Sequence, residues 1–212
     1  NRGGESAAAE ATLQEISDLE RSGDPAWRRC TRLNLQAAIC HHQSRFEESA
    51  CLLEQQQAQL LAAPGEHSAL IGCRSNLCVI LNCLERHDEA LAIARSALQQ
   101  HGGATGASSY LRFQLLHAQI ALDRIDEARR TLRDAVPVWR RDSLLLFGGF
   151  AVAEMLACCG RQADAARVEA AAMAHVRSSG VRLQQLQQMA RMRVLRALDA
   201  AGATPADLER WQ

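Results

Sequence analysis

The chain has 212 residues, 48 % of them hydrophobic but only 4 % aromatic, and its 24 basic residues are balanced by 24 acidic ones. That length can bury a sizeable core, and the neutral balance argues against a nucleic-acid surface, which ordinarily needs a basic excess. Every basic residue is arginine, so a phosphate-cradling P-loop and a Schiff-base amine, both of which need lysine, are excluded within this chain.

Alanine and leucine supply most of the apolar share, and both are strong helix formers. No alternating Val/Ile/Thr run of strand length occurs, so the expected class is all-α. In chain order, a leading helix is expected at about 6 to 22. Asp24-Pro25 then supplies an N-cap with proline at the first helical position. Helix pairs follow at about 24 to 62, 66 to 101, 107 to 140 and 142 to 178, and a long helix at about 181 to 200 closes the chain. Ala63-Pro64-Gly65, Gly102-Gly103, Asp142, Gly160, Gly180 and Gly202 mark the boundaries, and Thr204-Pro205 opens a last short helix. Pro137 is expected to kink or end the second helix of the third pair.

An internal repeat organises these pairs. Arg45-Phe46-Glu47-Glu48-Ser49, Arg86-His87-Asp88-Glu89-Ala90, Arg124-Ile125-Asp126-Glu127-Ala128 and Arg161-Gln162-Ala163-Asp164-Ala165 align, with their arginines 41, 38 and 37 residues apart. Each segment sits at the turn between two helices. The acidic residue meets the positive end of the second helix, and the small residue lets the two helices approach. A lone pair leaves an apolar face open, and stacking neighbours cover it.

The pattern resembles the tetratricopeptide repeat (TPR) family. The best matching pair runs from Asn76-Leu77 through Asp88-Glu89-Ala90 to Ala97-Leu98, and the fourth places Ala153, Leu156, Gly160, Ala165 and Ala172 in the small, large and glycine slots. The first pair departs from the family, with Ser49 for the usual alanine, and the period exceeds the usual roughly 34 residues. The resemblance covers residues 24 to 178. It implies a right-handed α-α superhelix of about four TPR-like pairs forming one α-solenoid domain over 1–212, with the leading and closing helices added. Longer, irregular repeats of this kind are also similar to the C-terminal helical sensor domains of large bacterial ATP-dependent transcription regulators. A chain that starts at Asn1 without methionine is accordingly expected to be part of a longer protein.

In TPR stacks the first helix of each pair lines a concave groove, and the resemblance carries that role onto particular residues. The third pair contributes Tyr110, Phe113, His117 and Ile120, and the fourth Phe147, Phe150, Glu154 and Cys158. The second contributes Ser75, Val79, Asn82 and Cys83. The first contributes Asn34, Ala38, His41 and His42, with a register open by one residue. Tyr110, Phe113, Phe147 and Phe150 are half of the chain's eight aromatics. They are expected either to form one apolar anchor for a partner or to pack against neighbouring helices.

Metal binding and catalysis are not expected. His41 and His42 point about 100° apart on a helix, and Cys73, Cys78 and Cys83 recur every five residues, a spacing that spirals around a helix. No G-x-S-x-G, H-E-x-x-H or glycine-rich nucleotide loop occurs. The eight cysteines contain no C-x-x-C pair, and seven of them fall inside apolar helical patterns, so they read as reduced packing residues of a cytoplasmic protein. No stretch of about 18 apolar residues suits a membrane. Arg124, Arg129, Arg130, Arg133, Arg140 and Arg141 read as a solvated helix face or a surface for an acidic partner. Arg182, Arg191, Arg193 and Arg196 form a second cluster with no acidic residue in sequence until Asp199. The expected function is therefore a non-catalytic, cofactor-free module for a protein or peptide partner, or for other domains of its own parent chain. The alternatives are an effector-sensing domain of a transcription regulator, and a scaffold in which end helices pair between copies.

Overall fold

The computed structural model describes residues 11–12, 14–15, 26–62, 67–101, 106–141, 145–179, 183 and 185–201. Among these the regular elements are all α-helices, with no strand. They are α1 (Ala26–His42), α2 (Phe46–Ala62), α3 (His67–Cys83), α4 (His87–His101), α5 (Gly106–Ala121), α6 (Ile125–Arg141), α7 (Leu145–Cys158), α8 (Gln162–Ser179) and α9 (Gln185–Ala200). Of the expected leading helix, residues 11–12 and 14–15 are helical, and the rest lies outside the described residues. So do Asp24-Pro25, Ala63-Pro64-Gly65, Gly102-Gly103, Asp142, Gly180, Gly202 and Thr204-Pro205. Among the described residues no helix is long and apolar enough to cross a membrane.

The repeated arginine motif makes the same turn four times. The residue before each arginine, Ser44, Glu85, Asp123 or Gly160, has a positive φ of 63°, 60°, 56° or 72°. The arginine N–H then reaches back five residues: Arg45 to the Cys40 carbonyl at 2.8 Å, Arg86 to Leu81 at 2.9 Å, Arg124 to Gln119 at 2.8 Å and Arg161 to Leu156 at 2.9 Å. This is the Schellman closure, which uses carbonyls left over at the end of the first helix. The arginine carbonyl in turn accepts the first bond of the second helix, from Ser49, Ala90, Ala128 or Ala165. Its guanidinium pairs with the acid three residues on: Glu48, Glu89, Glu127 or Asp164. One arginine therefore ends one helix and starts the next. The small residue beside it is fully covered in all four pairs. Ser49, where the other three pairs have alanine, is tolerated there because its hydroxyl donates to the Ala37 carbonyl of α1 at 2.8 Å.

The chain divides into two compact units, Asn1–His101 and Gly102–Gln212. In the first, α1 to α4 pack in sequence, each on the next. Leu53, Leu77 and Leu81 are nearly fully buried, each contributing about 1.5–3 kcal/mol of transfer free energy. The thiols of Cys73 and Cys78 donate to the carbonyls of Leu53 on α2 and Ala90 on α4. Burial pushes both up to about 12, so they act as small neutral hydrophobes. Cys51 and Cys158, by contrast, are exposed, which corrects the packing role expected of them.

In the second unit, α7 touches α5, α6, α8 and α9. Trp139 of α6 stacks on Phe113 of α5 with ring centroids 3.8 Å apart, and its indole N–H donates to the Ser109 carbonyl at 3.3 Å. Gly148 of α7 makes room for this pair. A Cβ there would come within 2.8 Å of the Phe113 ring and 2.9 Å of the Trp139 ring. α6 runs on through Pro137 to Arg141, so the helix does not end at the proline. The proline is exposed, so the Arg133 carbonyl, which its ring deprives of a donor, lies on the solvent side.

Candidate functional site

The groove residues carried over for the second unit are mostly interior. Phe113 is 4 % exposed and Phe150 is 1 % exposed. They belong to different clusters: Phe113 packs with Trp139 and Met155, Phe150 with Ala172 of α8 and Ala190 of α9. For these two rings the packing alternative holds, at two separate sites, because α6 covers one ring and α9 the other. Tyr110 remains exposed, its ring 6.3 Å from that of Phe113. Phe147 lies within α7, but its side chain is outside the described residues. Ile120 is buried and Cys158 is exposed.

His117 and Glu154, both buried, are brought together, with Nδ1 3.7 Å from Oε2. Arg193 of α9 pairs with Glu154, and Arg191 of α9 pairs with Glu169 of α8, Nε to Oε1, at 2.6 Å. Burial holds the Glu154 carboxyl above its ordinary range, against the opposing pull of the Arg193 guanidinium. The second arginine cluster thus anchors the closing helix internally, at these two positions, instead of offering bare positive charge. Along α6, Arg129 pairs with Asp126 at 3.5 Å and Arg133 with Asp134 at 3.5 Å, on an exposed face.

In the first unit Ser75 and Asn82 are buried as well, and Asn82 Oδ1 lies 3.1 Å from His87 Nδ1. Val79 and Cys83 are partly covered. In α1 the expected Ala38 and His42 are exposed, whereas in α3 it is Asn76 rather than Ser75 that faces outward. Its Nδ2 donates to Asn34 Oδ1 at 3.0 Å, tying α1 to α3. Trp27, Thr31, Leu35, Ala38 and His42 are all exposed and form one stripe along α1 at helical spacing. Trp27 is 58 % exposed and Leu35 41 %, with the Arg28 guanidinium 5.3 Å from the Trp27 ring centre. His41 and His42 stack on each other with centroids 5.7 Å apart. Among the described residues no group of three His, Cys, Asp or Glu side chains gathers around a metal position.

Beside this stripe, between α1 and α3 and above α2, lies a cleft of about 370 Å³. Trp27, Thr31 and Asn34 form one wall, Gly72 the other, and Gln56 and Leu60 the floor. A Cβ added at Gly72 would meet nothing within 4 Å, so the cleft owes part of its width to that glycine. The groove carry-over missed Trp27, Gln56, Gly72 and Asn76. An isolated glycine inside a helical pattern was the available signal for Gly72. Comparison of the chain with protein-family models, with characterised proteins and with solved structures finds no match.

Proposed function

We propose that the chain is a non-catalytic interaction module whose helix pairs follow the TPR-like superhelical pattern, and that a protein or peptide partner docks on the α1 face of the first unit. Four occurrences of one arginine turn support the repeat reading. The observation that carries the docking face is the α1 stripe, where two large apolar side chains, Trp27 and Leu35, stand in solvent. Covering them would contribute roughly 1.5–3 kcal/mol each at most. Beside them, the Asn34–Asn76 pair leaves an amide donor and an amide acceptor, the same groups a peptide backbone offers. A second reading, an effector-sensing domain, is favoured by the cleft, whose volume falls within the roughly 300–1,000 Å³ of small-molecule sites.

The test is capture from a native extract with the unmodified chain, a Trp27→Ala/Leu35→Ala variant and a Tyr110→Ala variant, all of equal helicity. A partner held by the unmodified chain and Tyr110→Ala but lost by the double variant supports the reading. A partner held equally by all three contradicts it.

A further inference from the structure

We propose that two copies of this chain associate by docking the acidic leading segment of each, residues 1–25, on an arginine surface of the other's second unit. The chain is neutral as a whole, but its charges are segregated. Residues 1–25 carry six acids, Glu5, Glu10, Glu15, Asp18, Glu20 and Asp24, against two arginines. Residues 26–101 carry seven of each sign, and residues 102–212 carry fifteen arginines against eleven acids. A surplus of four negative charges at one end is thus matched by a surplus of four positive charges in the second unit. Charge of one sign gathered on a compact unit repels itself, and a surface of opposite sign relieves that repulsion.

The second unit's own acids are already committed. Glu154 and Glu169 are buried and taken by Arg193 and Arg191 of α9, and Asp164 is shared by Arg161 and Arg167. Along α6, Arg129, Arg130 and Arg133 stand exposed. Arg129 and Arg133 reach Asp126 and Asp134 at 3.5 Å with side chains 57 % and 76 % exposed. Pairs so open to solvent contribute little, so their arginines can turn to the carboxylates of another chain. Arg130 donates only to the Asp126 backbone carbonyl, at 3.2 Å. The Arg129 guanidinium also donates to Cys159 Sγ at 3.2 Å, which brings the α6 row beside the α7–α8 turn and its Arg161. Of the acidic segment, Glu15 is exposed. A second copy offers both surfaces at once, and reciprocal docking satisfies both in a closed two-fold pair, the commonest symmetry of oligomers.

The test is sedimentation velocity of the full chain over a range of concentration and salt, with two charge-reversal variants of unchanged helicity. One carries Glu15→Arg, Asp18→Arg and Glu20→Arg, and the other Arg129→Glu, Arg130→Glu and Arg133→Glu. The unmodified chain is expected to dimerise at low salt. Its dissociation constant is expected to rise at least about tenfold between about 0.01 M and about 1 M salt, where the screening length falls from about 30 Å to about 3 Å. Each variant alone is expected to stay monomeric. Their equimolar mixture is expected to dimerise, because the basic segment of the first meets the acidic face of the second, and the acidic segment of the second meets the arginines of the first. The salt series needs no variant, so it stands even if a reversal unfolds the chain. Three results would overturn the proposal: a monomer at every concentration at low salt, which would assign the arginines to a different partner; a dimer indifferent to salt; or a mixture of the two folded variants that stays monomeric.

Discussion

The two units use the same arginine turn but treat their first helices differently. In the first unit α1 keeps a row of exposed side chains from Trp27 to His42, and a cleft opens between α1 and α3. In the second, from Leu111 to Ile120 every residue of α5 except Arg112 is buried, and α7 is covered by four neighbours. For α7 the difference lies in an added helix, whereas α5 is covered by α6 and α7. α9 has no counterpart among the described residues of the first unit, and it brings Ala190 onto Phe150 and Arg193 onto Glu154. Phe150, on the first helix of its pair, thus becomes core because the closing helix lies across it.

The largest expected effect breaks that closure. Arg193→Met leaves the Glu154 carboxylate buried without its guanidinium, which is expected to destabilise the second unit by about 3–5 kcal/mol near neutral pH, read by denaturant unfolding. The pH dependence has a definite sign. Glu154 titrates above its ordinary value in the folded protein, so the folded state holds the proton longer than the unfolded chain. Its contribution is then greatest below the usual glutamate range and is lost as pH rises through the elevated folded value. Arg193→Met removes a pull that lowers this value, so the decline is expected to extend to higher pH, and Glu154→Gln is expected to abolish it.

Next come the glycines, which separate the units cleanly. Gly148→Ala drives a Cβ into the Phe113–Trp139 stack and is expected to destabilise by about 1–3 kcal/mol. Gly72→Ala meets open space and is expected to stabilise α3 by up to about 1 kcal/mol through helix propensity. Thermal unfolding of the two variants should shift in opposite directions.

The smallest effects fall at the turns. Glu85 and Asp123 hold left-handed backbone that favours glycine, so Glu85→Gly is expected to gain a few tenths to about 1 kcal/mol. Gly160→Ala, at the equivalent position, is expected to lose about 1 kcal/mol. A shift of the same sign for Glu85→Gly and Gly160→Ala would break the equivalence of these turns.

Much of the helical order was legible because its signals are local. The arginine, the acid three residues later and the small residue after it lie within five positions, and the structure uses all three. The site was less legible because its determinants are not local. Arg193 and Glu154 are 39 residues apart, and Arg191 and Glu169 are 22 apart, so a local pattern shows an arginine cluster where the fold makes two anchors. Periodicity placed Phe113 and Phe150 on first helices, but not what lies across them. In the first unit one residue of register separates buried Ser75 from exposed Asn76. Nothing in the repeat singles out Trp27, which precedes its first turn.

The most direct test of the open-face account is site-specific photo-crosslinking in native cells, with a photoreactive residue placed in turn at Thr31, Asn76 and Tyr110. The account expects one shared partner adduct from positions 31 and 76 and none from 110. An adduct from position 110 alone, with 31 and 76 silent in a folded chain, would contradict it.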